Sequence, residues 1–219
     1  MRTDTELPIL DLRGKKITTF IAFEVASELE SADVGERLEF LTDDHIAIDS
    51  DLRAWAVSNG HLIVDSESIA SGRRFVVEKG TGPDEARSMA LIISTDGLEE
   101  LLSPLGFALA AALEGMSVDI YFQGPGVHVL QRGFQPKLTG WWRRPFSSFA
   151  ARGMAASGHI AARDKLRQLV SLGANLFVCA PSLDRFEVSP DEIIFEDVPQ
   201  VEYLSFMAAM KDSDIQIYS

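Results

Sequence analysis

Three short apolar runs punctuate the second half of this chain, with helical segments between them. Met89-Ala90-Leu91-Ile92-Ile93 runs into Ser94-Thr95 with no polar alternation, the mark of a strand buried on both faces. Ser117–Phe122 reads as the next strand, with Asp119 inside it, and Ala174–Cys179 is a further apolar run. Between the first two, Ser103-Pro104 opens a helix that Gly115 ends, because proline suits the first helical position and glycine the position past the last turn. His159–Leu172 reads as a helix before the third strand, and Val201–Met210 and Ile215–Tyr218 as a last helix and strand. Asp96, three before Glu99, is placed to cap a short helix, and Ser189-Pro190-Asp191-Glu192 is a capping box. Strands that alternate with helices need crossover connections, so this half is predicted to be a doubly wound parallel sheet.

The first half has a different rhythm. Ile9–Leu12 reads as a strand, Thr19–Leu29 as an apolar helix, Arg37–Thr42 as an alternating strand, and Ser50–Ser58 as a helix stopped at Asn59-Gly60. His61–Asp65 and Arg73–Glu78 then read as paired strands. The order βαβαββ predicts an α+β two-layer sandwich with its helices on one face. Lys79-Gly80-Thr81-Gly82-Pro83-Asp84 is a polar run with glycine and proline, hence a linker. The expected domains are 1–82 and 83–219, making the whole an α/β chain.

Composition narrows the function. The net charge of −13 disfavours nucleic acid as a partner. Residues 131–170 run against that trend, with eight Lys/Arg and one acid; the segment is either a solvated loop or a docking strip for an acidic partner. No stretch is long and apolar enough for a transmembrane helix, and Met1–Glu6 lacks an apolar signal core. The expectation is a cytoplasmic protein, in whose reducing surroundings one cysteine stays a free thiol.

That cysteine is Cys179, at the end of its strand and followed by Ala180-Pro181-Ser182. Ligands of open α/β sheets bind beyond the carboxyl ends of the strands, where Ser94–Gly97, Phe122–Gly126 and Cys179–Ser182 are expected to gather. A helical turn starting near Pro181 would bring free amides beside the sulfur and favour thiolate, with Asp184 opposing. The other reading is an inert buried cysteine acting as a small apolar residue.

Other chemistry finds little support. Gly124-Pro125-Gly126 is no phosphate loop, since neither GxxxxGK[ST] nor a complete GxGxxG occurs; it reads as a plain turn. His45, His61, His128 and His159 lack zinc-type spacing, so no metal and no cofactor is expected. No GxSxG elbow is present. Trp141-Trp142-Arg143-Arg144 is unusual. The tryptophans are expected to pack as a lid on the sheet with the arginines reaching outward; a partner-binding patch of Trp141, Trp142, Arg143 and Arg144 is the alternative.

Two family resemblances follow from these segments. Leu10-Asp11-Leu12-Arg13-Gly14, Gly35–Glu39, Thr42-Asp43-Asp44, Trp55, Gly60-His61-Leu62 and Phe75–Lys79 resemble the TusA-like (SirA-like) sulfur-carrier domains. That family has a Cys-Pro-x-Pro motif at the start of its first helix, where this chain reads Ile17-Thr18-Thr19-Phe20. The resemblance therefore implies the carrier fold without its thiol. Ser103–Gly115 with Met116-Ser117-Val118, Asp164–Leu172, Gly173–Cys179, Ser182 and Tyr203–Tyr218 resemble the DsrE/DsrF-like family. This second resemblance implies that Cys179 is a sulfur acceptor, that sulfur donor and acceptor proteins are partners, and that the chain forms a homo-oligomer. The departure is at Gln123–Val127, where Gly-Pro-Gly replaces a more aromatic stretch. Together they imply a sulfur-relay protein, a sulfurtransferase or sulfur carrier holding a persulfide on Cys179. The alternative is a non-catalytic interaction or regulatory module that keeps both folds without the chemistry. A one-cysteine peroxidase is disfavoured, because no Thr and Arg stand near Cys179 in sequence to activate peroxide.

Overall fold

In the computed structural model, residues 9–82 and 87–219 are described. The acidic N-terminal residues and the Pro83-Asp84 end of the expected linker lie outside them. The described residues form two compact units, 9–82 with Leu113–Gly115, and 87–112 with 116–219.

The first unit runs β1 (Ile9–Asp11), α1 (Thr18–Glu30), β2 (Arg37–Thr42), α2 (Ile46–Ser58), β3 (Leu62–Ile69) and β4 (Gly72–Glu78). Its sheet has the order β1-β2-β4-β3, with β1 parallel to β2 and the other pairs antiparallel. Alternation along β2 and β4 sends Leu38, Phe40, Phe75 and Val77 to a buried face, where Phe40 and Phe75 stack at 5.2 Å. Buried Ile21, Val25 and Leu29 of α1 and Leu52 and Trp55 of α2 supply the apolar stripes of the helix layer. The opposite strand positions include the charged Arg37, Glu39, Arg74 and Glu78, and Arg74 there joins Glu39 at 2.7 Å and Asp65 at 2.6 Å. Helix α2 starts four residues before the expected Ser50. The imidazole of His45 is the reason: its Nδ1 accepts from the Ala47 amide at 3.2 Å and caps the helix.

The second unit contains β5 (Ser88–Ile93), α3 (Leu102–Leu113), β6 (Ser117–Phe122), α4 (Ser147–Ala156), α5 (Ala162–Ser171), β7 (Asn175–Cys179), α6 (Ala180–Arg185), β8 (Gln200–Val201), α7 (Tyr203–Lys211) and β9 (Ile215–Tyr218). Its five strands are all parallel in the order β8-β7-β6-β5-β9. The doubly wound reading of this half is thus met. Met89, Leu91, Ile93, Val118, Ile120, Phe122, Leu176 and Val178 share one fully buried face. From β5 to β8 the chain moves one way across the sheet, and from β8 to β9 it returns. Right-handed crossovers then place α7 on the face opposite the earlier helices.

Three local expectations change. Residues 97–101 form a turn rather than a helix capped by Asp96. Gly124-Pro125-Gly126 opens a 3-10 helix, Gly124–Leu130, whose Gly126, Val127, Val129 and Leu130 are buried. The 131–170 segment, for which a solvated loop is one of the two expectations, contains α4 and a short 3-10 turn, Arg144–Phe146. Helix α4 buries none of its residues, so no apolar stripe marks it in the sequence.

Candidate functional site

The carboxyl ends of β5, β6 and β7 do meet. The Gln123 amide donates to the Ile93 carbonyl at 3.0 Å, and the Gly124 amide donates to Ser182 Oγ at 2.9 Å. A Cβ on Gly126 would come 2.3 Å from the Ile93 carbonyl oxygen, so glycine is what lets the buried 3-10 helix pass over the end of β5. These contacts fill the space between the three strand ends with backbone.

Cys179 ends β7 and stands at the N-cap of α6. Its side chain makes no capping hydrogen bond to that helix. Strand alternation explains this. Phe177 and Cys179 project to one face of β7, while Leu176 and Val178 project to the other. The thiol is therefore turned away from the α6 amides and into a cluster of Ala90, Tyr121 and Phe206. It is 0 % exposed. Phe206, the one buried residue of α7, stacks on Tyr121. Tyr121 Oη donates to the Val201 carbonyl at 3.5 Å. Burial first, and then the hydrogen bond with the Cys179 thiol, push the Tyr121 hydroxyl well above its ordinary pKa, so it is a neutral hydrogen-bonding group. Sequence reasoning missed both Tyr121 and Phe206. The period-2 register of β6 against β7 is the signal that places Tyr121 beside Phe177, one pleat from Cys179.

Trp141 and Trp142 are 84 % and 64 % exposed, so they do not pack as a lid on the sheet. No apolar stripe of α4 turns this segment inward. Arg143 pairs with Glu99 at 2.6 Å and lies 6.0 Å over the Trp142 ring. Arg144 lies at the edge of two adjoining cavities, of about 500 and about 570 Å³, formed within residues 96–165. Cys179 lines neither cavity, and the structure does not bring it together with the tryptophan–arginine segment in either. Among the described residues no group of His, Cys, Asp and Glu is arranged to hold a metal ion, and no helix is long and apolar enough to cross a membrane.

Two further histidines, His61 and His128, are occupied locally. His61 packs edge-on to Trp55 and accepts from the Gly80 amide at 3.0 Å; burial, then the Lys79 charge, lower its pKa. His128 lies between the rings of Phe134 and Phe186.

No curated protein sequence matches the chain. Among solved structures, it is similar to the ychN protein from E. coli, with a TM-score of 0.45 and 13 % identity over 61 % of this chain and 99 % of the other. It is also similar to the protein of unknown function MTH1491 from Methanobacterium thermoautotrophicum, with a TM-score of 0.38 and 16 % identity over the same shares. The family model described as the DsrE/DsrF-like family matches residues 87–218, which is nearly all of the second unit. The chain belongs to the DsrE/DsrF-like family.

Proposed function

We propose that this chain is a sulfur-relay protein that carries sulfane sulfur as a persulfide on Cys179. The family is associated with sulfur relay. The observation that carries the finer reading is the position of the chain's one thiol, at the carboxyl end of the inner strand β7. In the step itself, the Cys179 thiolate attacks the outer sulfur of a donor persulfide. A new S–S bond forms on Cys179, the donor's S–S bond breaks, and the donor leaves as a thiolate. An acceptor thiolate then attacks the outer sulfur and releases Cys179 unchanged. No net oxidation occurs.

Access to the buried thiol comes from α7. On that helix Phe206 is buried and Ala209 and Met210 are partly buried against the same cluster, so lifting it forfeits on the order of 3–5 kcal/mol of apolar burial, a cost within reach of a docking partner. Tyr203, Leu204 and Met207 stand exposed on the same helix and suit such docking. Trp141, Trp142, Arg143 and Arg144 are a further partner-binding patch, in keeping with the preference of interfaces for Trp and Arg. The topology of the first unit supports a TusA-like fold, with Ile17 at the N-cap of α1 where the carrier thiol would stand; this unit positions a partner. The proposed setting is a cytoplasmic homo-oligomer.

A second reading, a non-catalytic interaction module, is favoured by one observation, the complete burial of Cys179. Intact-mass measurement after exposure to a persulfide donor separates the two. Relay predicts a gain of one reducible sulfur atom, absent in Cys179→Ser. No gain in the native protein, together with thiol titration only on unfolding, overturns relay and leaves the module.

A further inference from the structure

Lys165 sits where an apolar residue belongs. On α5 the buried positions are Ala162, Lys165, Leu166 and Leu169, the spacing of a core-facing stripe. The lysine is 3 % exposed. Its Nζ donates to the Leu102 carbonyl at 2.8 Å, and among the described residues no carboxylate pairs with it. An ammonium has three donors, so two N–H groups have no acceptor among the described residues. Burial lowers its pKa, as desolvation does for a cation without a counter-charge.

This lysine lines the cavity of about 570 Å³ between the starts of α3 and α5 and the body of α4. That volume lies in the ordinary range for small-ligand sites. The wall is apolar through Leu101, Met154 and Ile160, and Lys137 and Arg144 stand exposed at its rim. Neither rim cation makes an ion pair among the described residues. The one acid on the lining, Asp164, is engaged by Arg167 at 2.9 Å.

We infer that this cavity binds a small amphipathic carboxylate, its anionic head on Lys165 and its aliphatic body against Leu101, Met154 and Ile160. A carboxylate supplies the acceptors and the counter-charge that a buried ammonium lacks. An aliphatic body matches the remaining wall. The rim cations make the mouth positive and draw anions in from an otherwise acidic protein. The site is independent of Cys179, so it stands or falls apart from persulfide carriage.

The test is calorimetric titration of the full chain with octanoate and, as the uncharged control, 1-octanol. Octanoate is expected to bind saturably at one site, with octanol weaker by about tenfold or more, the value of one charge-assisted hydrogen bond. Lys165→Met keeps the apolar volume, removes the buried charge and is expected to lose octanoate by a similar factor while keeping the melting temperature or raising it. Lys137→Gln/Arg144→Gln, on the exposed rim, is expected to weaken octanoate several-fold and to reduce its salt dependence. Equal affinity for octanol and octanoate, undiminished binding by Lys165→Met, or no saturable binding of octanoate overturns the inference. Should Lys165→Met fail to fold, the rim variant and the octanol comparison on the native protein decide it.

Discussion

Phe206 lies face to face with Tyr121, ring centroids 4.7 Å apart and planes 15° from parallel, in the same buried cluster as Cys179. Phe206, with Ala209 and Met210 of the same short helix packed on that cluster, is thus part of the apolar closure around the thiol. Phe177 tilts against the same ring at 5.6 Å from below.

Phe206→Ala is expected to cost about 3 kcal/mol, the lower end for deleting a buried phenylalanine. Most of that loss falls on the local opening of α7, so native-state labelling of Cys179 by a disulfide reagent is expected to quicken by about a hundredfold. Unchanged labelling with a lowered melting temperature would show that α7 is not the route to the sulfur.

Cys179→Ser places a hydroxyl among Ala90, Tyr121 and Phe206, and is expected to destabilise the protein by about 1–3 kcal/mol. Cys179→Ala, which brings no polar group, is expected to cost less. Denaturant unfolding of the two variants measures the difference.

Two buried groups give opposite alkaline slopes. Tyr121, its pKa raised chiefly by burial, holds its proton in the native state where an unfolded tyrosine would lose it. Its contribution is complete below the unfolded value near 10 and is lost as pH rises beyond it. Lys165, its pKa lowered by burial, binds fewer protons folded than unfolded, so stability rises with pH between its native value and the unfolded value. Tyr121→Phe is expected to flatten the alkaline loss and Lys165→Met to deepen it, measured as unfolding free energy against pH.

His61 has a lowered pKa from burial, then from Lys79. Protonation opposes the folded state, so stability falls as pH drops below the unfolded value near 6.5 toward the native one. NMR titration is expected to give His61 a midpoint below 6.5, and His61→Gln a shallower acid loss.

Gly126→Ala sets a methyl 2.3 Å from the Ile93 carbonyl oxygen. Backbone must move to admit it, and the expected cost is about 1–3 kcal/mol, read as a lower melting temperature. Trp141→Ser/Trp142→Ser, on side chains that are mostly exposed, is expected to change stability by no more than about 0.5 kcal/mol.

The architecture was legible where burial writes a period into the sequence. The unbroken runs of β5 and β7 and the alternation of β2 each follow from which faces they hide. What stayed illegible lacks such a signature. Helix α4 hides nothing, and Trp141 and Trp142 look like core residues by composition but stand in solvent. For the candidate site, sequence located Cys179 at a strand end but not which way its thiol points. Direction depends on register across β6 and β7 and on α7 arriving from 27 residues further along at Phe206. Lys165 was readable as a cation in a helix, and its place in the apolar stripe became plain only once Ala162, Leu166 and Leu169 were seen to face inward.

The sheet order has a consequence for biosynthesis. Strand β5 is the first of its unit to leave the ribosome, yet its outer partner is β9, with Met89 against Ile215 and Ile92 against Tyr218. Until those late residues emerge, one edge of an apolar strand has no neighbour to saturate its amides and carbonyls. Nascent chains of this protein therefore pass through a long interval in which an open, sticky edge is exposed. Shielding by trigger-type chaperones during translation would matter more here than for a fold whose first strand is paired from both sides early.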